Sequence, residues 1–443
     1  MTFLPVLALL CSPTLGQAPP GQAKPQTPAW IPGTNIQRTM QLLASSTQDH
    51  PNHVKILFYG QYISQQDWWI QVASDLKQRF PFADIVCENR AIDGFKANLL
   101  KRVVMHDVYP SYPDLIIFQD YGAESDYEQI IRALRANVAS EILIQSDHID
   151  AKTPLGTATQ KGWRDPHEAW LRGMAEKYNL GFVNVRSSWR HFLLDHKYTA
   201  GALLKDNVHL NDAGCNLMAS LVERALVVNL NSPPDPNLCR TFAAPWSGNS
   251  MKLAFDGNRV DLVLGGPVNG HVKVLIDGKA PSSFPELYQF DRPSDCPGVE
   301  APALFHVESR QPLQVENWTL TLSNIASNAS RWHFALSGDK TGADGEGESG
   351  QTFVSNSGRV AIDPMDWYIS QAYGLGAMPP PEGFQIHWRV IPQFMDEVPN
   401  TATGTITIAQ GLPNMSHQLE LVSDGDPPQI AGVTIYRPPI KTN

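Results

Sequence analysis

The chain has 443 residues, of which 42% are apolar, with 34 lysines and arginines against 44 aspartates and glutamates and a formal charge of -10. This length predicts two domains, and the apolar share is enough for real cores. The acidic balance and the lack of a basic run exclude a binder of the nucleic-acid backbone, and beyond the N-terminus no apolar run is long enough to span a membrane.

The opening MTFLPVLALLCSPTLG, residues 1–16, has the apolar run and small-residue tail of a secretory signal, so the protein is expected to be secreted or periplasmic. The following GQAPPGQAKPQTPAW is too rich in Pro, Gly and Gln to bury a core, and residues 17–52 are read as a flexible lead-in and domain start. From 53 to 230 short apolar strands alternate with helical patterns, which predicts an α/β domain of three layers around a mostly parallel sheet. The strands are VKILFYG, ADIVCEN, DLIIFQD, EILIQSD and GFVNVR. Helices are expected at QDWWIQVASDLKQRF, DYEQIIRALRANV and RDPHEAWLRGMAEKYN. In the last of these Asp165 caps the first turn, Pro166 suits the first helical position and Glu168 faces Arg172.

NLNSPPDPNLC, residues 229–239, punctuates the chain and marks a boundary. Beyond it, from 240 to 443, alternating strands joined by Asp-Gly, Gly-Gly and Asn-Gly turns predict a β-sandwich. DKTGADGEGESGQ, residues 339–351, is read as a flexible, solvated loop. Excluding Cys11, the four cysteines Cys87, Cys215, Cys239 and Cys296 fit no close-set zinc pattern, and Cys239 with Cys296 is one of the pairings open to them. Sequons at Asn317, Asn328 and Asn414 place surface glycans there if the source makes them. No residue cluster has metal-ligand spacing and no glycine-rich phosphate loop follows the first strand, so neither metal nor cofactor is expected.

The chemistry-bearing residues concentrate in two stretches. In VKILFYGQYISQQDWW, residues 54–69, a buried strand stops at Gly60 and hands over through Gln61 and Tyr62 to a turn and a helix. In LLKDNVHLNDAGCNLM, Asp206 and His209 stand three apart just before a helix that begins around Asp212. A carboxylate that accepts a proton from one imidazole nitrogen leaves the other free as a base. Asp147 and His148 directly follow one strand and Asn89 another, where substrate contacts are expected.

Together these features resemble the SGNH, or GDSL-like, hydrolases, a family of esterases and acetylesterases whose first strand ends in Gly-Asp-Ser and whose domain closes with Asp-x-x-His. Gly60 matches the first glycine, Gly94 in NRAIDGF the glycine of the second segment, and Asp206 with His209 the last. The resemblance covers roughly residues 53–230. The family serine falls on Tyr62 and the family aspartate on Gln61, and QDYGAESDYEQ holds no counterpart of the family asparagine.

The resemblance implies a hydrolase acting on O-acyl, chiefly acetyl, esters of a carbohydrate, with His209 as base, Asp206 as its orienter and a polysaccharide as partner. Its nucleophile would be atypical or displaced: Tyr62 itself, or Ser64 two residues on. Ser64 has a second reading as a helix cap, because Asp67 follows three residues later. Two other functions stay open, a polysaccharide lyase or glycosidase using Tyr62 and His209, and a carbohydrate-binding protein without catalysis. Gly60, Gln61, Asn89, Gly94, Asp147 and His148 are the expected substrate-binding or oxyanion residues.

Overall fold

Strands that are apolar on both sides build the first sheet. In β1 (His53–Gly60) Ile56 and Phe58 pack on one face while Leu57 and Tyr59 pack on the other, which requires helices on both. The computed structural model describes residues 30–156, 165–243, 245–268 and 270–441. The leader and most of the lead-in therefore lie outside the described residues.

β1 pairs in parallel with β2 (Asp84–Asn89) and β3 (Leu115–Gln119), and β3 continues through β4 (Glu141–Gln145) to β5 (Gly181–Val183), giving the order β2-β1-β3-β4-β5. One face carries α1 (Gln37–Ser45), α3 (Trp68–Arg79), α7 (Val185–Asp195) and α8 (Asp212–Glu223). The other carries α4 (Ala97–Asp107), α5 (Glu124–Asn137) and α6 (Pro166–Tyr178), and a single turn, α2 (Tyr62–Gln65), links β1 to α3. This is the three-layer domain expected from the alternation of patterns. α1 lies inside the stretch read as lead-in and domain start, and it buries Ile36, Met40 and Leu43 against the sheet.

The last predicted strand is shorter than its motif, because Asn184 accepts from the Ser187 N–H and starts α7. Asp165 does cap α6, accepting from the Glu168 N–H at 2.9 Å. Glu168 does not face Arg172. Its carboxylate takes the N–H and hydroxyl of Ser187, and Arg172 turns to Glu176.

The second half consists of antiparallel sheets forming a sandwich-like region. A five-stranded sheet runs Tyr288–Phe290, Gln385–Pro392, Asn317–Ser323, His333–Gly338 and Gly342–Glu348. A larger sheet is centred on the long strands Ser250–Leu264 and Thr405–Ser423. The stretch read as a loop, 339–351, in fact supplies the strand Gly342–Glu348. Glycine is what the site requires: a Cβ on Gly347 would stand 2.6 Å from the Phe334 ring, and Asp344 is tied down by the N–H and hydroxyl of Ser357. All four cysteines of the described residues are free, with Cys296 buried in the core, so the Cys239–Cys296 pairing is not formed. Asn414 is buried and its amide donates to Pro438 and Ile440 carbonyls, so this sequon is closed to a glycan in the folded chain.

The two halves share one hydrophobic core. Phe95 meets Phe305 and Tyr368 with ring centroids 5.8 and 4.9 Å apart, and Arg102 lies over Phe305 while pairing with Asp366 at 2.8 Å. Beside them His106 is buried, its Nδ1 facing the Phe290 carbonyl at 3.2 Å and its Nε2 facing His306 at 3.0 Å. Burial, then the nearby His306, pushes the His106 imidazole down to about 3 from an ordinary 6.5. The unfolded chain takes up this proton near 6.5 and the folded chain only near 3, so stability is complete above the first value and falls as pH drops toward the second. Acidifying from about pH 7 to about pH 4 is expected to cost about 3 kcal/mol through this one group. Urea unfolding at both pH values, with His106→Gln as the variant in which most of the difference disappears, checks it.

Candidate active site

Two chain segments 143 residues apart meet at the C-terminal edge of the parallel sheet. β1 ends at Gly60 with φ +138°, where a Cβ would stand 1.7 Å from the Gln119 carbonyl oxygen, so only glycine lets the strand turn away beside β3. The chain then makes the single turn α2 and enters α3. On the other segment Leu204 and Leu210 bridge in antiparallel fashion, and the Lys205 N–H donates to the His209 carbonyl at 2.8 Å. Asn211 caps α8 by accepting from Gly214. Gln66 joins the segments: its Oε1 accepts from the Leu210 N–H at 3.0 Å and its Nε2 donates to the Leu210 carbonyl at 3.1 Å. The result is that Tyr62 sits edge-on to His209, ring centroids 4.6 Å apart at 75°.

Asp206 and His209 form the expected pair. Asp206 Oδ2 lies 2.5 Å from His209 Nδ1, while Oδ1 accepts from the N–H groups of Val208 at 2.7 Å and His209 at 2.8 Å. The Val208 N–H, the imidazole and the His209 N–H hold the Asp206 carboxyl well below the usual range, so it is ionised throughout the working pH range. With Nδ1–H given to the carboxylate, the tautomer that fits these partners carries its lone pair on Nε2. The imidazole is 38% exposed and reaches solvent beside Tyr62.

Ser64 is elsewhere. Its side chain is buried at 1% exposure, and Oγ donates to Gln119 Oε1 at 3.3 Å, with no hydrogen bond to His209. Nor does it cap a helix: Ser64 lies within α2, and neither α2 nor α3 has a side-chain cap. The reason is that α2 ends before Gln66 and α3 restarts at Trp68, so Ser64 and Asp67 fall in different helices. Gln61 is likewise buried, its amide donating to Gln119 Oε1 at 3.1 Å. Asn89 donates to the Ser64 carbonyl at 2.6 Å and accepts from Ala91, so both its polar atoms are engaged in holding α2. Gly94 is on an exposed turn at the same sheet edge, with φ +72°, and makes no hydrogen bond to the pair.

Asp147 and His148 support the site from beneath. Asp147 accepts from Gln119 Nε2 at 2.6 Å, and burial pushes its carboxyl up. His148 Nε2 faces the Val208 carbonyl at 2.6 Å and burial holds its imidazole down, to about 4, so it is a neutral donor bracing the Asp206–His209 turn.

Three contributors were not picked out from sequence. Gln119 gathers Gln61, Ser64 and Asp147; its signal is an amide closing an otherwise apolar strand. Lys205 places Nζ 3.5 Å from the Tyr62 hydroxyl, and its signal is position, four residues before His209. Gln66 carries none, because its role depends on what packs opposite. Beside Tyr62 lies an open cleft of about 540 Å³ whose wall includes Gln65, Asp67, Lys205, Asp212 and Cys215. Trp68, at the start of α3, is packed in the core against Phe58. Among the described residues no cluster of three or more His, Cys, Asp or Glu side chains is placed to hold a metal ion, and no helix is long and apolar enough to cross a membrane.

No protein-family model matches the chain, and no curated protein matches it. Among solved structures it is similar to an acetyl xylan esterase, AlAXEase, at 20% identity and TM-score 0.35, over 39% of this chain and 100% of that one. It is also similar to a two-domain esterase active on acetylated mannans, at 14% identity and TM-score 0.37, over 91% of this chain and 96% of that one. A third is Axe2, an acetylxylan esterase from Geobacillus stearothermophilus, at 18% identity and TM-score 0.34, over 40% and 95%. At these identities and scores the likenesses transfer no chemistry to this chain.

Proposed function

We propose that the chain hydrolyses O-acyl, chiefly O-acetyl, esters of a carbohydrate, with His209 as general base and Asp206 as its orienter. The observation that carries this reading is the Asp206–His209 pair at 2.5 Å at the sheet edge, packed against Tyr62, which itself lines an open cleft. A carbohydrate is favoured by the motif resemblance and by the many polar side chains of the cleft, with Tyr62 as its one aromatic wall, which suit a hydroxyl-rich ligand.

The attacking group in this reading is water. Nε2 takes a proton from water as its oxygen adds to the acyl carbon, and the imidazolium returns that proton to the departing sugar oxygen. Ser64 is buried against Gln119 and cannot substitute. A phenol is a poor alternative, because moving an acyl group from a sugar alcohol to Tyr62 makes the more activated ester and runs uphill. Tyr62 instead forms the wall that orients His209 and the substrate.

Lys205 beside the Tyr62 hydroxyl favours a second reading, in which Tyr62 exchanges a proton with a glycan in a lyase or glycosidase reaction. Tyr62→Phe separates the two. Acetate release from acetylated xylo- and manno-oligosaccharides is expected to stay within about threefold of wild type if Tyr62 is a wall. Collapse of turnover in Tyr62→Phe, together with an unsaturated sugar or a cut glycosidic bond, would select the second reading. In the same assay Tyr62→Ser is expected to raise acetate release by about tenfold or more, since it puts a small hydroxyl next to the base.

A further inference from the structure

A second cleft, sharing no residue with the first, lies between the two halves of the chain. It is lined by Lys55 and Arg90 from the α/β domain, Arg292 and Arg389 from the sandwich-like half, and Ser111 and Asp291, and it measures about 320 Å³. Four cations and one carboxylate converge here in a chain whose overall charge is -10. Acids stand among them: Asp291 lines the cleft, Glu88 pairs with Arg90, and Asp107, Asp295 and Glu300 lie close to Arg292. Arg90 spends one Nη on Glu88 at 3.2 Å and the other on the Asp107 carbonyl at 2.7 Å, Arg389 spends Nε on Asp291 at 2.9 Å, and Arg292 reaches the Asp107 carboxylate only at 3.5 Å. Lys55 has a carbonyl, that of Ser111 at 3.3 Å, and no carboxylate. In addition, Arg292 Nη1 and Ser111 Oγ are buried without a hydrogen-bond partner. Buried donors normally find an acceptor, and no group among the described residues supplies one here.

We propose that this cleft binds an oxyanion carried on a sugar-sized group, the sulfate or carboxylate of an acidic saccharide. Arginine forks suit both oxyanions, and Lys55 adds a point charge that forms no salt bridge among the described residues. The volume exceeds that of a bare ion and matches one sugar ring with its substituent. Because each half of the chain supplies two of the four cations, the ligand would bridge them. The site is separate from Tyr62 and His209 and does not depend on the esterase reading.

The test is calorimetric titration of the full chain, at low salt, with glucose 6-sulfate, glucuronic acid, inorganic sulfate and neutral glucose, alongside melting temperature. Binding of glucose 6-sulfate or glucuronic acid is expected, with the preferred one identifying the source of the charge, together with a rise in melting temperature and steep weakening by salt. Lys55→Met and Arg389→Gln, both expected to fold because neither side chain is buried, should each weaken that binding by about tenfold. Neutral glucose binding as well as the charged sugars, a response to inorganic sulfate alone, no binding of any probe, or affinity unchanged in Lys55→Met would each overturn the proposal.

Discussion

His209→Ala is expected to lower kcat/KM for acetate release by about 10²- to 10⁴-fold, the range a positioned general base contributes. Folding should be unaffected, because the ring is partly exposed and, among the described residues, its one side-chain hydrogen bond is to Asp206. Asp206→Asn is expected to lose nearly as much. With its oxygen kept on the Val208 and His209 N–H groups, the amide would present NH₂ to Nδ1 and force the proton onto Nε2, where it destroys the base. Turning the amide over restores the tautomer but gives up both backbone hydrogen bonds. The pH profile carries a further check. Asp206 is held low and stays ionised, so it adds no step on the acid side, where activity should fall with the slope of a single proton. A slope of two, or a folded His209→Ala variant with wild-type turnover, would remove the pair from the mechanism.

Gly60→Ala is expected to be among the most damaging single changes in the chain, costing about 4 kcal/mol or more. The methyl group would overlap the Gln119 carbonyl at 1.7 Å, a backbone atom that can yield only by separating β1 from β3, and the φ of +138° adds its own strain. Gly94→Ala is the matched control. It also has a positive φ, but nothing lies within 4 Å of the added atom, so a cost of about 1 kcal/mol is expected from backbone conformation alone. Urea denaturation of both variants distinguishes steric exclusion from conformational preference. Equal costs would mean that the close approach of β1 to β3 relaxes readily.

What could be read in advance follows the range of the interaction. The parallel strands were legible because burial on both faces writes continuous apolar runs, and Asp206 with His209 because the two ends of the pair are three residues apart. Glycine misled in 342–348, where it marks the close packing of Phe334 and Phe353 over a strand rather than a loop. Ser64 misled because its hydroxyl points inward to Gln119, a direction fixed by the short α2 turn and not by spacing along the chain. The approach of Lys205 to Tyr62 was out of reach, since it needs the Gln66 clamp on Leu210 to hold two remote segments together.

The core that runs from Phe95 through Phe305 and Tyr368 bears on how such a chain can be cut and recombined. The proline-rich stretch at 229–239 looks like a natural place to sever it, yet a cut there would release no pair of self-sufficient modules. Each fragment would carry a bare aromatic surface and a half-satisfied ladder of polar contacts, His106 and Arg102 on one side, His306 and Asp366 on the other. The second half thus acts as a keel for the first, and trimming it away is expected to lower the melting temperature of what remains by exposing this aromatic surface.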